Sequence, residues 1–149
     1  MEYADILERH RVLYGNPPFD GIHVDRGDLR LQLEQEAMGK LIKLRQGALA
    51  AGNEGGRQLD LLAASVSPVM IVLRAFLRLH DIKPPTDNVS LTEHVAKQAG
   101  FDGSPIVRAI RHVRGETPLK ADEANSVLAG YLQALERLVG YLDTYRPAA

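Results

Sequence analysis

The side chains best suited to chemistry by type and spacing are five arginines on two predicted helices. They are Arg74, Arg78, Arg108, Arg111 and Arg114. Arg74 and Arg78 are four residues apart and therefore share one helix face. A guanidinium group can bind a phosphate through two parallel hydrogen bonds, so arginines lining a pocket between the two helices would suit a nucleotide. We therefore rank Arg74 and Arg78 first as ligand-binding residues, with Arg108 and Arg111 next.

A structural role is the alternative for these arginines. Arg74 could pair with a buried carboxylate such as Glu34 or Glu36, while the other arginines are solvated. Such ion pairs also occur far from functional sites, so residue type alone does not decide between the two interpretations.

Arg74 and His80 suggest a second chemistry. In the superfamily of helical domains called HEPN, an Arg and a His separated by four to six residues can act in RNA cleavage, and here five residues lie between them. The imidazole would act as general acid or base, and the guanidinium would stabilise charge on the phosphate. The structural alternative is that His80 ends a helix, where the helix dipole favours an imidazolium.

Other familiar chemistries lack their motifs. The chain has no cysteine, which excludes disulfides and thiolate metal sites. The histidines outside the pair above show no His-x3-His or His-Glu-x-x-His spacing, so no metal is expected. The glycines of the segment 52–56 follow a predicted helix rather than a strand and lack the Lys-Ser/Thr of a phosphate loop. The sequence predicts no metal and no cofactor.

Composition and charge exclude several classes of protein. The 149 residues include 18 Lys and Arg against 19 Asp and Glu, so no basic excess points to DNA. The first residues lack the basic and apolar regions of a signal peptide. Arg74 and Arg78 interrupt the longest apolar run, so we expect no membrane span and a cytoplasmic protein.

The segment Leu59–His80 is the element around which the others are expected to pack. It is apolar on almost every face, which is typical of a helix at the centre of its domain. Pro68 lies inside it and removes one backbone donor, which predicts a kink or a break near Ser67.

Four further helices follow from apolar periodicity and capping residues. The first is long and runs from Asp25 or Asp28 to Gly52-Asn53 or Gly55-Gly56. Two short helices follow, one capped by Ser90 and ending at Gly100, the other capped by Ser104 and ending at Gly115. The last helix begins near Ala121 and carries the apolar seam Leu128–Tyr145. The fold class is therefore all-α, an up-down bundle of three long and two short helices. Residues 1–24 are predicted to form an N-terminal helix and extended arm, and residues 25–146 the bundle domain.

Three segments together resemble a known arrangement: ERHRVLYGNPPFDG, LRLQLEQEAMGKLIKLRQGAL and LLAASVSPVMIVLRAFLRLHDIKPP. Their order is similar to the helical region that follows a minimal nucleotidyltransferase domain in many bacterial proteins, the kanamycin-nucleotidyltransferase-type and HEPN-like bundles. The catalytic domain needs a Gly-Ser loop followed by an Asp-x-Asp pair, and this combination does not occur in the chain. The resemblance implies a non-catalytic accessory or substrate-binding module, with a nucleotidyltransferase subunit or domain as partner, and a homodimer.

Two alternatives to the accessory module stay open at this level. One is a HEPN-type ribonuclease that acts as a dimer through Arg74 and His80. The other is a purely structural dimer that associates through the seam Leu128–Tyr145.

Overall fold

The computed structural model describes residues 26–145, so the arm and helix predicted for residues 1–24 lie outside the described part. It contains α1 (Arg26–Ala51), α2 (Gly55–Leu79), α3 (Asn88–Ala99), α4 (Ser104–Arg114) and α5 (Ala121–Thr144), and no strand within that range. The predicted all-α bundle of three long and two short helices is confirmed.

The centre of the bundle is α2, which packs against each of the other four helices. Leu62, Leu73, Phe76 and Leu77 on this helix are fully buried. Among the described helices, α2 alone is long and apolar enough to cross a membrane, a test that the core helix of a soluble bundle also passes.

Pro68 does not interrupt α2, so of the kink or break predicted near Ser67 the break does not occur. The missing N–H of Pro68 leaves the carbonyl of Ala64 without its helical partner. Because Ala64 is exposed, water can reach that carbonyl. The hydroxyl of the neighbouring Ser65 is directed elsewhere, because it lies 2.8 Å from the carbonyl oxygen of Leu62 and 3.0 Å from the Tyr131 hydroxyl.

The predicted serine caps of the two short helices are each misplaced. The N-cap of α3 is Asp87, whose carboxylate accepts the backbone N–H of Ser90 at 3.0 Å. The backbone N–H of Ser104, in the first turn of α4, is accepted by Asp102 at 3.0 Å. In both places an upstream carboxylate is the acceptor, and charge makes it stronger than a serine hydroxyl.

The glycine stops are largely as predicted. Gly52, Gly100 and Gly115 have φ of 57°, 79° and 76° and follow the last turns of α1, α3 and α4. The pair Gly55-Gly56 instead opens α2. The turn between the long helices is therefore only three residues, 52–54.

The apolar seam Leu128–Tyr145 of α5 faces the inside of the bundle. Leu128, Tyr131, Leu135 and Leu138 are all buried there. The interpretation of this seam as a self-association face is therefore wrong, because the bundle's own helices cover it.

Candidate functional site

An open cavity of about 520 Å³ lies at the carboxyl end of α2, between the helix and the loop that follows it. Its lining residues are Arg74, Arg78, Asp81, Ile82, Lys83, Pro84, Pro85 and Thr86. Three of these side chains are cationic and one is anionic, so we call it the basic cavity.

The loop after α2 brings Lys83 beside the two arginines. Asp81 has a φ of 60°, and the N–H of Ile82 donates to the carbonyl of Leu77 at 2.8 Å, so the chain reverses direction directly after the helix. The two prolines that follow restrict the backbone and carry it along the flank of α2. Lys83 therefore comes from the loop, whereas Arg74 and Arg78 come from successive turns of one helix.

Arg74 is held in place by uncharged groups. Its Nη2 donates to Oδ1 of Asn88 at 2.7 Å and to the carbonyl of Thr86 at 3.4 Å. The anticipated pairing with Glu34 or Glu36 is wrong, because both carboxylates pair with basic residues of their own helix, α1. The bonds of Arg74 orient its guanidinium without neutralising its charge.

Arg114 fastens the end of α4 to the start of α3. Its Nη2 lies 2.8 Å from Oδ1 of Asp87, and its Nη1 lies 3.5 Å from Glu116. The backbone N–H of Ser90, and then Arg114, hold the pKa of the Asp87 carboxyl below its ordinary value. Arg114 is therefore a structural neighbour of the basic cavity.

Arg108 and Arg111 lie elsewhere. Arg108 pairs with Glu123 of α5 at 2.7 Å, and Arg111 is exposed on α4. Neither belongs to the described lining of the basic cavity. The structure thus brings together the first two predicted ligand-binding residues and separates them from the next two.

His80 is built into an aromatic cluster. Its Nδ1 lies 2.9 Å from the carbonyl of Phe76, and its Nε2 lies 2.8 Å from the Tyr141 hydroxyl. The ring stacks on Phe76 and Tyr145 at centroid distances of 4.4 and 4.5 Å. Since a carbonyl only accepts, Nδ1 carries a proton, and in the neutral imidazole Nε2 accepts from Tyr141.

Within one chain, Arg74 and His80 do not line the same described cavity. Six residues of helix rotate the second position about 120° away from the first. Arg74 lines the basic cavity, and His80 is not among its described lining residues. An RNA-cleaving His80 would have to give up hydrogen bonds at both ring nitrogens.

Sequence reasoning missed Lys83 and Asn88. The available signal was the loop itself, because Pro84-Pro85 keeps the segment short and stiff enough to stay against α2. Within residues 26–145 there is no cluster of three or more His, Asp or Glu side chains that could hold a metal ion.

A second cavity, of about 220 Å³, lies between α1 and α2. Its interior is formed by Leu44, Leu61, Pro68 and Val69, with two lysines among the remaining lining residues. An apolar cleft of this kind offers no paired guanidinium donors to a phosphate. The basic cavity, although it is open to solvent, is therefore the better candidate for a phosphate-binding site.

The relation to nucleotidyltransferase-associated bundles stays a prediction, because comparison of the chain with models of protein families, with curated proteins and with solved structures found no match.

Proposed function

We propose that this chain is a non-catalytic helical module that binds the phosphate of a nucleotide in its basic cavity and serves as the accessory half of a nucleotidyltransferase. The observation that carries the proposal is the convergence of Arg74, Arg78 and Lys83 on one open cavity. Cationic side chains of this kind are what phosphate recognition requires.

The orientation of Arg74 supports binding over a purely structural role. A side chain already fixed by Asn88 and Thr86 loses less conformational entropy when a ligand arrives. Its partners are neutral, so the charge of the guanidinium still acts on an anion in the cavity.

The remaining lining residues favour a nucleotide over a bare phosphate. A volume of about 520 Å³ lies within the roughly 300–1,000 Å³ typical of small-molecule sites. Ile82 and Pro84 supply apolar surface for a base or sugar, and the Asp81 carboxylate can accept a hydrogen bond from a hydroxyl or amino group.

The accessory part of the proposal follows from the sequence. The resemblance implies a nucleotidyltransferase domain as partner, and the chain has no Gly-Ser loop followed by an Asp-x-Asp pair of its own. The partner would therefore supply the metal-dependent chemistry, and this bundle would hold the nucleotide or the acceptor.

Binding is tested by calorimetric titration with ATP, and separately with inorganic phosphate, at low ionic strength. The test variant is Arg74→Gln/Arg78→Gln, and the matched control is Arg57→Gln/Arg111→Gln, which removes the same charge from exposed positions outside the cavity. Because hydrogen bonds to charged groups contribute roughly 1.5–3 kcal/mol each, the test variant should lose at least about tenfold in affinity.

Equal losses in test and control variants would mean non-specific attraction, and absence of ATP binding to the wild type would overturn the site. Circular dichroism of the test variant checks that the fold is intact.

The accessory role is tested separately by capturing the tagged protein from its native lysate. Recovery of a small nucleotidyltransferase, identified by mass spectrometry, is the expected result. A capture that yields only this chain would contradict the accessory role while leaving the cavity measurement standing.

A further inference from the structure

The second cavity, between the two long helices α1 and α2, combines an apolar interior with a cationic rim. Leu44, Leu61, Pro68 and Val69 form the interior, and its volume is about 220 Å³. An engineered apolar cavity of about 150 Å³ in another protein accommodates benzene, so this cavity is large enough for a short hydrocarbon chain. We call it the α1–α2 cleft.

A glycine closes the end of the α1–α2 cleft that lies nearest the turn 52–54. A β-carbon at Gly47 would lie 2.5 Å from Cδ1 of Leu61. The absence of a side chain at Gly47 therefore lets Leu61 of α2 rest directly against the backbone of α1. The α1–α2 cleft is thus bounded by a close helix contact at this end, which limits the length of any chain that it can hold.

The interior leaves no side chain to bond a polar ligand group. Ser65 is the uncharged polar residue of the lining, and its hydroxyl lies 2.8 Å from the carbonyl oxygen of Leu62 and 3.0 Å from the Tyr131 hydroxyl. A polar group placed beside it would lose its bonds to water without gaining a side-chain partner, which is unfavourable. The part of a ligand that enters the α1–α2 cleft should therefore be hydrocarbon.

Two lysines of α1 supply the cationic rim. Lys40 and Lys43 are three residues apart and lie on one side of the helix, and the described lining contains no acidic residue. Lys40 lies 3.9 Å from Glu36, whereas the exposed Lys43 makes no ion pair within the described part of the chain. A lysine stem can lie along apolar surface while its ammonium group stays in water. Lys43 therefore places an uncompensated positive charge at the mouth.

From this apolar interior beneath a cation we propose that the α1–α2 cleft binds a small aliphatic monocarboxylate, with its chain between the helices and its carboxylate beside Lys43. A lysine acts as a single point charge and not as a planar fork of donors, which suits a monoanion better than a phosphate. The α1–α2 cleft shares no lining residue with the basic cavity, so this proposal stands or falls independently of the proposed function.

NMR titration of the isotope-labelled full chain with hexanoate and octanoate tests the apolar interior. Each buried methylene group contributes up to about fourfold in affinity, so octanoate should bind up to about fifteenfold more tightly than hexanoate. The backbone amide signals of Leu44, Leu61 and Val69 should shift and then saturate.

Filling the α1–α2 cleft should block octanoate. Ala64 is exposed and lines the cleft, whereas its neighbour Ala63 is exposed and lies outside the described lining. Ala64→Leu adds three carbon atoms to the cleft and displaces the equivalent of two or more methylene groups, so it should weaken octanoate at least about tenfold. Ala63→Leu is the matched control and should leave the affinity unchanged.

Octylammonium tests the charge, because it has the same chain length and the opposite sign and could instead donate to the Ala64 carbonyl that Pro68 leaves without its helical partner. Exposed ion pairs contribute up to about fivefold in affinity. Lys43→Gln should therefore weaken octanoate about two- to fivefold and tighten octylammonium by a similar factor. Lys97→Gln removes the same charge from an exposed position on α3 and should change neither.

Five outcomes would each overturn the proposal: no saturable shift with octanoate, equal affinities for hexanoate and octanoate, equal losses in the two alanine variants, tighter binding of octylammonium than of octanoate, or an effect of Lys43→Gln in the same direction on both probes. Circular dichroism checks that each variant is folded, and the comparison of probes on the wild-type chain decides the question even where a variant is not.

Discussion

Two neighbouring glycines at the start of α2 should respond in opposite ways to replacement by alanine. A β-carbon at Gly55 would lie 2.8 Å from Cβ of Ala121 in α5, and closer still to the Ala121 carbonyl oxygen, whereas a β-carbon at Gly56 would meet no atom within 4 Å. Gly55→Ala therefore has to separate two helices, and Gly56→Ala only adds a methyl group to an exposed helical position.

The obstacle at Gly55 is backbone that cannot easily move. Ala121 is the first residue of α5, and that turn is fixed by the N–H of Lys120 donating to Glu123 at 3.0 Å. Glu123 is itself held by Arg108 at 2.7 Å. A shift of Ala121 would disturb this cap as well as the packing of α2 against α5.

The magnitudes follow from overpacking and helix propensity. Forcing an extra carbon into a packed contact costs about 1–3 kcal/mol, and replacing glycine by alanine within a helix returns about 0.5–1 kcal/mol. Gly55→Ala should therefore lose up to about 2.5 kcal/mol, and Gly56→Ala should gain up to about 1 kcal/mol. For a chain of this size each kcal/mol shifts the melting temperature by roughly 2–4 °C.

Urea and thermal unfolding followed by circular dichroism measure both variants against the wild type. Gly55→Ala with unchanged stability would refute the close approach of the two helices. Equal destabilisation by both variants would show that the loss arises from the local backbone of the turn and not from contact with α5.

Three further predictions concern polar groups inside or at the ends of the bundle. Burial raises the pKa of Tyr131 to about 12, so the phenol ionises at lower pH in the unfolded chain than in the folded one. The free energy of unfolding is therefore retained below about pH 10 and falls by about 1.4 kcal/mol per pH unit between about pH 10 and pH 12. Urea titrations should show this slope, and Tyr131→Phe should abolish it. Gln58, 2% exposed, ties the carbonyl of Gly52 to Asn125 of α5, so Gln58→Ala should lower the free energy of unfolding by about 1–3 kcal/mol in urea, and an unchanged value would contradict this tie. The pKa of the Asp87 carboxyl is lowered chiefly by the Ser90 N–H. The contribution of this carboxylate to the free energy of unfolding is therefore present above the ordinary pKa of 3.8 and is lost as the pH falls through the lowered pKa of the folded state. Asp87→Ala should lower the melting temperature at neutral pH and flatten the decline of the melting temperature in acid.

The helices could be predicted because their signals are local. Apolar residues three or four apart identify α1, α2 and α5, and the helix stop at Gly100 needs only a residue that tolerates positive φ. The N-terminal caps were harder, because Asp87 competes with Ser90 for the same role within four residues, and sequence alone does not show which acceptor the backbone N–H groups reach.

The candidate site was only partly predictable because it depends on how helices rotate against each other. Arg74 and Arg78 share a face by spacing alone, and both line the basic cavity. Arg108 does not, because packing turns it toward Glu123 of α5. His80 was correctly placed at the end of a helix, but its hydrogen bond to Tyr141 joins residues 61 positions apart, which no local pattern contains.

The position of the basic cavity determines how it would bind an anion. Many phosphate sites use the positive end of a helix, but this cavity lies at the carboxyl end of α2, where the helix dipole disfavours negative charge. The nearby start of α3 offers little compensation, because its N-cap Asp87 is itself a carboxylate. Affinity must then come from the side chains of Arg74, Arg78 and Lys83, even though the whole chain carries a net charge of −1. Removing the arginines should therefore abolish most of the binding, and raising the salt concentration should weaken it steeply, since the open cavity leaves these charges screened by solvent ions.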